Sequence, residues 1–363
     1  MEQLEVIRKQ IDEVDAQIAP LFERRMELVR EVTAYKTAHG LATADPSRED
    51  DILRRGAARI EDRDVREYYV SFQKEVLSLS RDFQRRLSSG LKVAYSGVPG
   101  AFAYIAASRL YPGAELVPFA SFEEAYRACE AGACDVAVLP FENSSAGEVS
   151  SVTDLMFSGS LYVNQVLQLE AEQNLLGLPG ADKSKIRKVY SHPQALAQCN
   201  EYIQRNKLIT REMSNTAVAA QRVSQKQDPL CAAIGTAEAA ALYGLEVLEP
   251  RINTNRNNTT RFAAFSRMLR LDTENKGKMD KHFILMYTVK NEAGALAQTL
   301  NIIGAHNFNM CNLHSRPMKE LLWSYYFFVE LDGDVATDEG NSMMQELAPF
   351  CDRLKLVGSF YTH

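Results

Sequence analysis

The sequence lacks the patterns that are typical of metal, redox or nucleotide chemistry. Its six cysteines are scattered and include no Cys-x-x-Cys pair, which argues against a zinc site and a disulfide framework. The six histidines form no His-Glu-x-x-His pattern, and neither a Gly-x-Gly-x-x-Gly nor a Walker loop is present. We therefore expect no metal and no cofactor.

Long apolar runs and an excess of basic residues are also missing. No stretch approaches the roughly 20 apolar residues of a membrane helix, and the first five residues lack the basic and apolar regions of a signal peptide. The net charge of -6 indicates no nucleic-acid surface. With 363 residues, 46% of them hydrophobic, the chain is long enough for two or three domains, and we expect it to be cytoplasmic.

Glycine and proline are scarce in residues 1–89, which contain only two of each. This scarcity favours an all-helical domain that ends where Ser88-Ser89-Gly90 begins a glycine-punctuated sequence. We predict a helix over 4–37, a short helix after Pro46 and a third over about 65–83. Three helices with long apolar seams cover each other poorly in so short a chain, so we expect a homodimer or a higher homo-oligomer.

The first predicted helix carries one cation within its apolar seam. A three-and-four spacing defines the seam, whose members are Leu4, Ile7, Ile11, Val14, Ile18, Leu21, Arg25, Leu28, Val32 and Tyr35. A buried guanidinium without a partner costs several kcal/mol, so an anion should meet Arg25. That anion is either a carboxylate of the chain or a ligand.

The remaining sequence divides into an α/β domain over 91–268 and a smaller domain over 282–363. Strands are predicted in the first at 91–95, 136–140, 189–191, 232–235 and 262–265. A polar stretch at 272–281 reads as a linker. The second domain has the order strand, helix, strand, strand, helix, strand, which is typical of a ferredoxin-like unit; the predicted elements are 283–289, 294–306, 310–315, 324–331, 337–349 and 354–361.

Several polar residues of the helical domain are spaced so that their side chains leave the same face of a helix. Arg25 and Lys36 differ by about 20° around the helix axis, whereas Arg8 points about 100° away and could serve a second copy of the site in a dimer. Pro20 should kink this helix or cost about 3 kcal/mol. The pattern resembles the helical chorismate mutase family over residues 4–86, through Arg8, Arg25, Lys36, Arg48, Glu49, Ser80 and Gln84.

The resemblance implies a substrate and a role for each residue. The two carboxylates of chorismate would be held by Arg25, Arg48, Ser80 and Arg8 of a partner protomer. Lys36 and Gln84 would donate to the ether oxygen. The ring hydroxyl would be held by Glu49 and the Asp45 backbone. A pericyclic rearrangement fits this set because it needs a compact conformer and donors aimed at developing negative charge, not a nucleophile.

Five blocks of the α/β domain place polar groups at the ends of predicted elements. They are Val93–Phe102, Pro140–Gly147, Ser191–Gln194 with Gln198, Asn215–Ala217 and Asn257–Phe262. Together they resemble prephenate dehydratase, whose fold has two α/β lobes like a periplasmic binding protein. By this resemblance lobe one is 92–167 plus 249–268, and lobe two is 168–248.

The implied reaction removes carbon dioxide and water from prephenate to give phenylpyruvate. Thr260 would protonate the departing hydroxyl, or relay its proton, and Arg261 would supply positive charge. The remaining substrate-binding candidates are Glu142, Asn143, Ser144, Ser191, Gln198 and Phe262. The sequence offers no account of what assists a threonine, which is a poor acid on its own.

Two motifs of the last domain resemble the ligand motifs of an ACT domain, the phenylalanine-responsive module of these dehydratases. The effector-binding candidates are Gly294, Ala295, Leu296, His314, Ser315, Arg316 and Pro317. The family commonly has Glu where His314 stands, and a neutral imidazole does not replace a permanent charge.

The whole chain is therefore expected to be a bifunctional enzyme of phenylalanine biosynthesis that phenylalanine inhibits. The first alternative is the same scaffold acting on arogenate, the aminated analogue of prephenate. The second is a ligand sensor with a binding-protein fold, against which the mutase cations and Thr260 argue. A fusion to a dehydrogenase is excluded because no dinucleotide loop follows any strand.

Overall fold

The computed structural model describes residues 2–42, 44–254, 258–270, 281–318 and 325–362, and the chain forms two compact units, Met1–Leu91 and Lys92–His363. Most of the predicted linker at 272–281, together with Asn257 and Ser324, lies outside the described residues. Among the described residues we find no helix that could span a membrane.

The first unit consists of three helices, as predicted: α1 (Glu2–Ala38), α2 (Pro46–Ala57) and α3 (Arg63–Ser89). Aspartate side chains cap two of them, since Asp45 accepts from the Arg48 N–H at 3.1 Å and Asp62 accepts from the Asp64 N–H at 2.8 Å. The helix α1 continues without interruption through Pro20.

The apolar seam of α1 is exposed in the single chain, although its spacing predicts burial. Residues 3–24 are all exposed, and Leu21 retains 70% of its accessible surface. Only the second half of α1 packs against α3, where Thr33 is buried and the Arg30 guanidinium lies 4.9 Å from the Phe83 ring centroid. One chain has too few helices to cover the first half.

The second unit begins with an α/β lobe built on a mixed sheet, which we call lobe one. Its strands have the order β5-β11-β3-β1-β2, with β4 paired to β3. The bounds are β1 (Lys92–Ser96), β2 (Glu115–Phe119), β3 (Val136–Asn143), β4 (Gly147–Glu148), β5 (Tyr162–Glu170) and β11 (Thr259–Ser266). Three helices, α4 (Phe102–Leu110), α5 (Phe122–Glu130) and α6 (Ser150–Ser158), pack on this sheet.

Lobe two has a separate five-stranded sheet of order β10-β6-β9-β7-β8. Its strands are β6 (Asn174–Gly177), β7 (Lys188–Ser191), β8 (Ile209–Glu212), β9 (Cys231–Gly235) and β10 (Glu246–Glu249). Its helices are α7 (Pro193–Gln198), α8 (Asn200–Arg205), α9 (Thr216–Lys226) and α10 (Ala237–Leu242), with a 3-10 turn at Lys183–Lys185. The predicted division between residues 167 and 168 falls within β5.

The last part of the unit has the predicted βαββαβ order, and we call it the sensor domain after the role that the resemblance predicts for it. Its elements are β12 (Lys281–Thr288), α11 (Ala295–Ala305), β13 (Met310–Pro317), β14 (Tyr325–Asp332), α12 (Asp338–Leu347) and β15 (Arg353–Tyr361), with a 3-10 turn at Ala348–Phe350. The strand order is β13-β14-β12-β15, and β15 also pairs in parallel with β5 at Gly358 and Val163. The sensor sheet and the sheet of lobe one are thus continuous.

Candidate functional sites

Arg25 lies half-buried in the first unit and contacts a hydroxyl rather than a carboxylate. Its guanidinium donates to Ser80 Oγ, and Ser80 in turn donates to the Val76 carbonyl at 2.6 Å. Burial lowers the pKa of Arg25 from its usual value. Among the described residues no carboxylate oxygen lies within the 4.0 Å of an ion pair with Arg25, so the predicted anion is not found among them.

Other candidates of this unit surround the α2–α3 contact. Glu49 forms an ion pair with Arg81 at 2.5 Å. Arg48 is exposed, and its Nη1 lies 3.4 Å from Asp51 Oδ2. Gln84 follows Ser80 by one turn, and its buried Oε1 lacks a hydrogen-bond partner among the described residues. The pKa of Asp45 is lowered by hydrogen bonds from Ser47 and the Arg48 N–H, and to a smaller extent by the charge of Lys36.

The structure does not bring Arg8 to these residues within one chain. Arg8 lies in the exposed first half of α1, which α2 and α3 leave uncovered. The helix places it more than four turns before Arg25, a separation of about 25 Å at 1.5 Å per residue. A site that contains both side chains therefore requires a second protomer.

Thr260 lies in lobe one beside Asn143, on neighbouring antiparallel strands. The ladder pairs Thr260 of β11 with Asn143 of β3, and Asn143 Nδ2 donates to Thr260 Oγ1 at 2.8 Å. Asn143 Oδ1 accepts from the N–H groups of Ser145 and Ala146, each at 2.9 Å, which fixes the orientation of the amide. The amide also donates to Asn258 Oδ1 at 2.9 Å. Because Asn143 presents only a donor to it, the Thr260 hydroxyl keeps its own proton for another acceptor.

Thr260 and Asn143 face a cavity of about 370 Å³ between the lobes. Residues at the first turns of α4 and α9, and the residue before α6, contribute to its wall; they are Phe102, Ala103, Val149 and Thr216. The helix starts direct backbone N–H groups and the positive ends of helix dipoles toward this region, which suits an anionic ligand. Gln198 and Phe262 also line the cavity.

Four of the substrate-binding candidates do not line this cavity. Ser191 is fully buried and donates to the Ile234 carbonyl at 2.7 Å, and Ser144 Oγ accepts from the Thr259 N–H at 2.9 Å. Glu142 and Arg261 form an ion pair with each other at 2.7 Å. Successive residues of a strand point to opposite faces, so Thr260 and Phe262 face the cavity while Arg261 points away.

Arg261 instead connects lobe one to the sensor domain. Its two terminal nitrogens meet the Glu330 carboxylate at 2.8 and 2.6 Å, and Glu330 is only 1% exposed. Burial opposes the charge of Arg261, but the hydrogen bonds and charges of Glu330 and Glu142 overcome this effect and raise its pKa. Its predicted role as a source of positive charge for the substrate does not agree with this position.

The two sensor motifs lie on opposite faces of the sensor sheet. Gly294, with φ of 87° in the left-handed region, precedes α11, and Leu296 packs into the core between the helices and the sheet. His314 stacks on Phe328, whose ring belongs to the core shared with lobe one. Of the other candidates, Ala295 is the first residue of α11, while Ser315 and Pro317 are exposed on β13.

Glu148 is a cavity residue that both His314 and Arg316 contact. Its carboxylate lies 2.6 Å from His314 Nε2 and 2.5 Å from Arg316 Nη1. Arg316 also donates to Asp154 at 3.0 Å. Sequence reasoning missed Glu148, and it missed Arg81 beside Glu49. In both pairs the contacting residues are far apart in the sequence. The only sequence signal was that Glu148 follows the Pro140–Gly147 block and Arg81 follows Ser80.

The chain is similar to two families and to several named proteins. Residues 93–269 match the prephenate dehydratase family, and residues 7–85 match chorismate mutase type II. The bifunctional chorismate mutase/prephenate dehydratase of Escherichia coli is 30% identical over 371 residues, covering 98% of this chain and 95% of its own. Arogenate dehydratase 1 of Petunia hybrida is 33% identical over 289 residues, covering 75% and 67%.

A solved structure extends the similarity to three dimensions. The prephenate dehydratase of Arthrobacter aurescens, in complex with L-Phe, is 26% identical and gives a TM-score of 0.66 over 75% of this chain and 90% of its own. The predicted fold class, a helical unit followed by a two-lobed α/β unit and a C-terminal α+β domain, is confirmed.

Proposed function

The chain belongs to the bifunctional chorismate mutase/prephenate dehydratase family, a lyase joined to an isomerase in phenylalanine biosynthesis, and we propose that each activity resides in its own unit. The predicted family and the predicted pair of enzyme activities are confirmed by these relatives.

The first unit converts chorismate to prephenate at a site built around Arg25. The Arg25 guanidinium is half-buried, its described side-chain contacts are the Ser80 hydroxyl and the Met26 sulfur, and it has no described carboxylate in ion-pair range, which supports a ligand as the missing anion. Arg25 and Arg48 hold the substrate carboxylates, and Lys36 and Gln84 serve the ether oxygen. Glu49, oriented by Arg81, and the Asp45 backbone hold the ring hydroxyl.

A partner protomer completes this site by supplying Arg8. The exposed seam of α1 supports a homodimer, because 22 consecutive residues without cover include apolar side chains at regular spacing. Pairing of two such helices removes the seam from water and brings Arg8 of each chain toward Arg25 of the other.

The second unit converts prephenate to phenylpyruvate in the cavity between the lobes. The single observation that carries this assignment is the 2.8 Å hydrogen bond from Asn143 Nδ2 to Thr260 Oγ1. As the ring carboxylate leaves as carbon dioxide, its bonding electrons complete the aromatic ring. The ring hydroxyl departs with the Thr260 proton as water. The Asn143 amide stabilises the negative charge that remains on Thr260 Oγ1, which makes the threonine a better acid.

Substrate carboxylates are bound without a cationic side chain among the described wall residues. The cavity wall includes neither Lys nor Arg in the ranges that the structure describes, so the helix starts and the side-chain amides of Asn143 and Gln198 provide the donors. A diffuse set of neutral donors suits a carboxylate that must lose its charge as carbon dioxide forms, because a tight ion pair would stabilise the ground state.

Arogenate is the second candidate substrate, as in the named Petunia relative. Its side-chain amine calls for an anionic partner, and Glu148 is the one carboxylate among the described wall residues. Arg316 already forms an ion pair with Glu148 Oε1 at 2.5 Å, which offsets the negative charge that an amine would need and favours prephenate. Relative rates with the two purified substrates decide between them.

Phenylalanine inhibits the dehydratase through the sensor domain. The L-Phe bound by the Arthrobacter relative supports the effector, and the contacts of His314 and Arg316 with Glu148 offer a direct path to the cavity. The two motifs of one chain lie on opposite faces of the sheet and cannot both contact one ligand. The effector therefore binds between the Gly294 motif of one protomer and the sensor domain of a second protomer. The cytoplasmic location stays a prediction.

A coupled assay tests both activities. The purified protein is given chorismate without a cofactor, and chorismate consumption and phenylpyruvate formation are followed with and without phenylalanine. We expect phenylpyruvate in the absence of phenylalanine and its suppression by phenylalanine. Accumulation of prephenate alone would remove the dehydratase assignment, and an unchanged rate with phenylalanine would remove the sensor assignment.

A further inference from the structure

Three strands of the sensor sheet bring a histidine, a cysteine and an aspartate together at one end. His282 on β12 lies opposite Asp332 on β14, and their Nδ1 and Oδ1 atoms are 3.1 Å apart. Cys311 on β13 donates its thiol proton to Asp332 Oδ1 and lies 3.9 Å from His282 Nδ1. One potential ligand atom of each residue thus falls within 4.8 Å of the other two.

A β-bulge places Cys311 in this group. Neighbouring residues Asn312 and His314 pair in step with Glu330 and Phe328 of β14, but the register shifts between Met310 and Asn312. Without that shift the alternation of a strand would turn Cys311 to the opposite face from Asn312. The bulge re-aims its side chain toward the face that carries His282 and Asp332.

The neighbouring groups hold the two other side chains in an orientation that suits a ligand. Asn309 donates to Asp332 Oδ2 at 2.8 Å and leaves Oδ1 directed at His282 and Cys311. The His282 ring is stacked on Phe360, with the ring planes 12° apart. Outer hydrogen bonds and packing of this kind orient ligands in protein metal sites.

We propose that His282, Cys311 and Asp332 form a binding site for a divalent ion of the zinc type, with a fourth position open to water. Tetrahedral zinc with bonds of about 2.0 to 2.3 Å places its ligand atoms roughly 3.3 to 3.8 Å apart. The His282–Asp332 and His282–Cys311 distances of 3.1 and 3.9 Å lie on either side of this range, and the closer Cys311–Asp332 contact opens when the thiol proton that joins them is lost to the ion. Thiolate and carboxylate neutralise the ion, and the thiol proton passes to solvent on binding. Sulfur and nitrogen ligands select zinc, cobalt or nickel over magnesium and calcium, which prefer oxygen.

The wider surroundings leave this group available to an ion. Glu330 Oε1 lies 3.6 Å from His282 Nδ1, but that carboxylate is held by Arg261. Cys311 is exposed, and Asp332 retains 45% of its side-chain exposure, so an ion reaches the site from solvent. The sequence pattern predicts no such site because its three residues are separated by more than 20 positions and meet only through the sheet.

Cobalt titration of the full-length, chelator-treated protein tests the proposal. One equivalent of Co²⁺ should produce visible absorption of tetrahedral cobalt and a thiolate-to-metal charge-transfer band, and Zn²⁺ should displace both. Cys311→Ser should remove the charge-transfer band and weaken binding by at least about 100-fold, and Asn309→Ala should weaken it by about 10-fold. Cys351→Ser, which changes a partly buried cysteine elsewhere in the sensor domain, is the matched control.

A second measurement separates loss of the site from loss of the fold. Zn²⁺ should raise the melting temperature of the wild-type chain and of Cys351→Ser, but not that of Cys311→Ser or His282→Gln with unaltered circular dichroism. The proposal is overturned if the wild-type chain shows no tetrahedral cobalt spectrum, or if Cys311→Ser retains the full spectrum.

Discussion

Removal of the Asn143 amide should impair the dehydratase without affecting the mutase. In Asn143→Ala, Thr260 Oγ1 loses the donor that lies 2.8 Å away, and the charge left after proton transfer is no longer stabilised. Loss of one such donor typically reduces kcat by about 100- to 1000-fold, equivalent to about 2.7–4 kcal/mol. Asn143→Asp should be at least as severe, because its carboxylate still accepts from the Ser145 and Ala146 N–H groups but presents negative charge to Thr260.

The assay is phenylpyruvate formation from saturating prephenate, with the chorismate mutase rate of the same sample as an internal standard. Ser145→Ala is the matched control, since it keeps the backbone N–H that orients Asn143 and changes only an exposed side chain. Near-ultraviolet circular dichroism reports whether the second unit remains folded. A less than threefold fall in kcat for a folded Asn143→Ala protein would refute the role of this hydrogen bond.

Three further predictions address the separate sites and the join between lobe one and the sensor domain. Arg25→Ala should reduce the mutase rate by about 100-fold or more and spare the dehydratase, and Thr260→Ala should do the reverse; loss of both activities in either folded variant would contradict separate sites. Glu330→Ala removes two charged hydrogen bonds from the largely buried Arg261, which keeps only Glu142 as an ion-pair partner among the described residues, and should lower the free energy of unfolding in urea by about 1.5–3 kcal/mol. Glu339→Gln on the surface should change it by less than about 0.5 kcal/mol, and equal effects of the two substitutions would contradict a stabilising role for Glu330. Gly358→Ala places a Cβ against the backbone of β5 and should lower stability by about 1–3 kcal/mol; an unchanged melting curve would show that the strands separate easily.

Much of the fold was predictable because its signals are local. The helices of the first unit follow from heptad spacing and scarce glycine, and the βαββαβ order of the sensor domain follows from alternating apolar runs. Strands such as β8, whose residues are all exposed, carry no apolar pattern and were not predicted. The pairing of β15 with β5 joins residues almost 200 positions apart, and no local signal encodes it.

The residues of the candidate sites were predictable where sequence motifs contain the side chains that the fold brings together. Thr260 and Asn143 belong to different motifs, and both face the cavity as expected. The resemblance assigns Arg261 to the substrate through the Thr-Arg-Phe motif, whereas the two-residue period of a strand places adjacent side chains on opposite faces. Glu330, the buried carboxylate that Arg261 contacts, lies in another domain and comes near only in the folded chain.

The shared core between lobe one and the sensor domain has a consequence for how this enzyme can be divided. Ile284, Met286, Phe328 and Val357 of the sensor sheet are buried in the same apolar cluster as Leu155 of lobe one. A chain truncated before β12 would leave the lobe-one side of that cluster facing water, with β5 as a bare sheet edge. The sensor domain therefore also acts as a structural wall of the dehydratase, and its deletion should yield an aggregating protein rather than an unregulated enzyme.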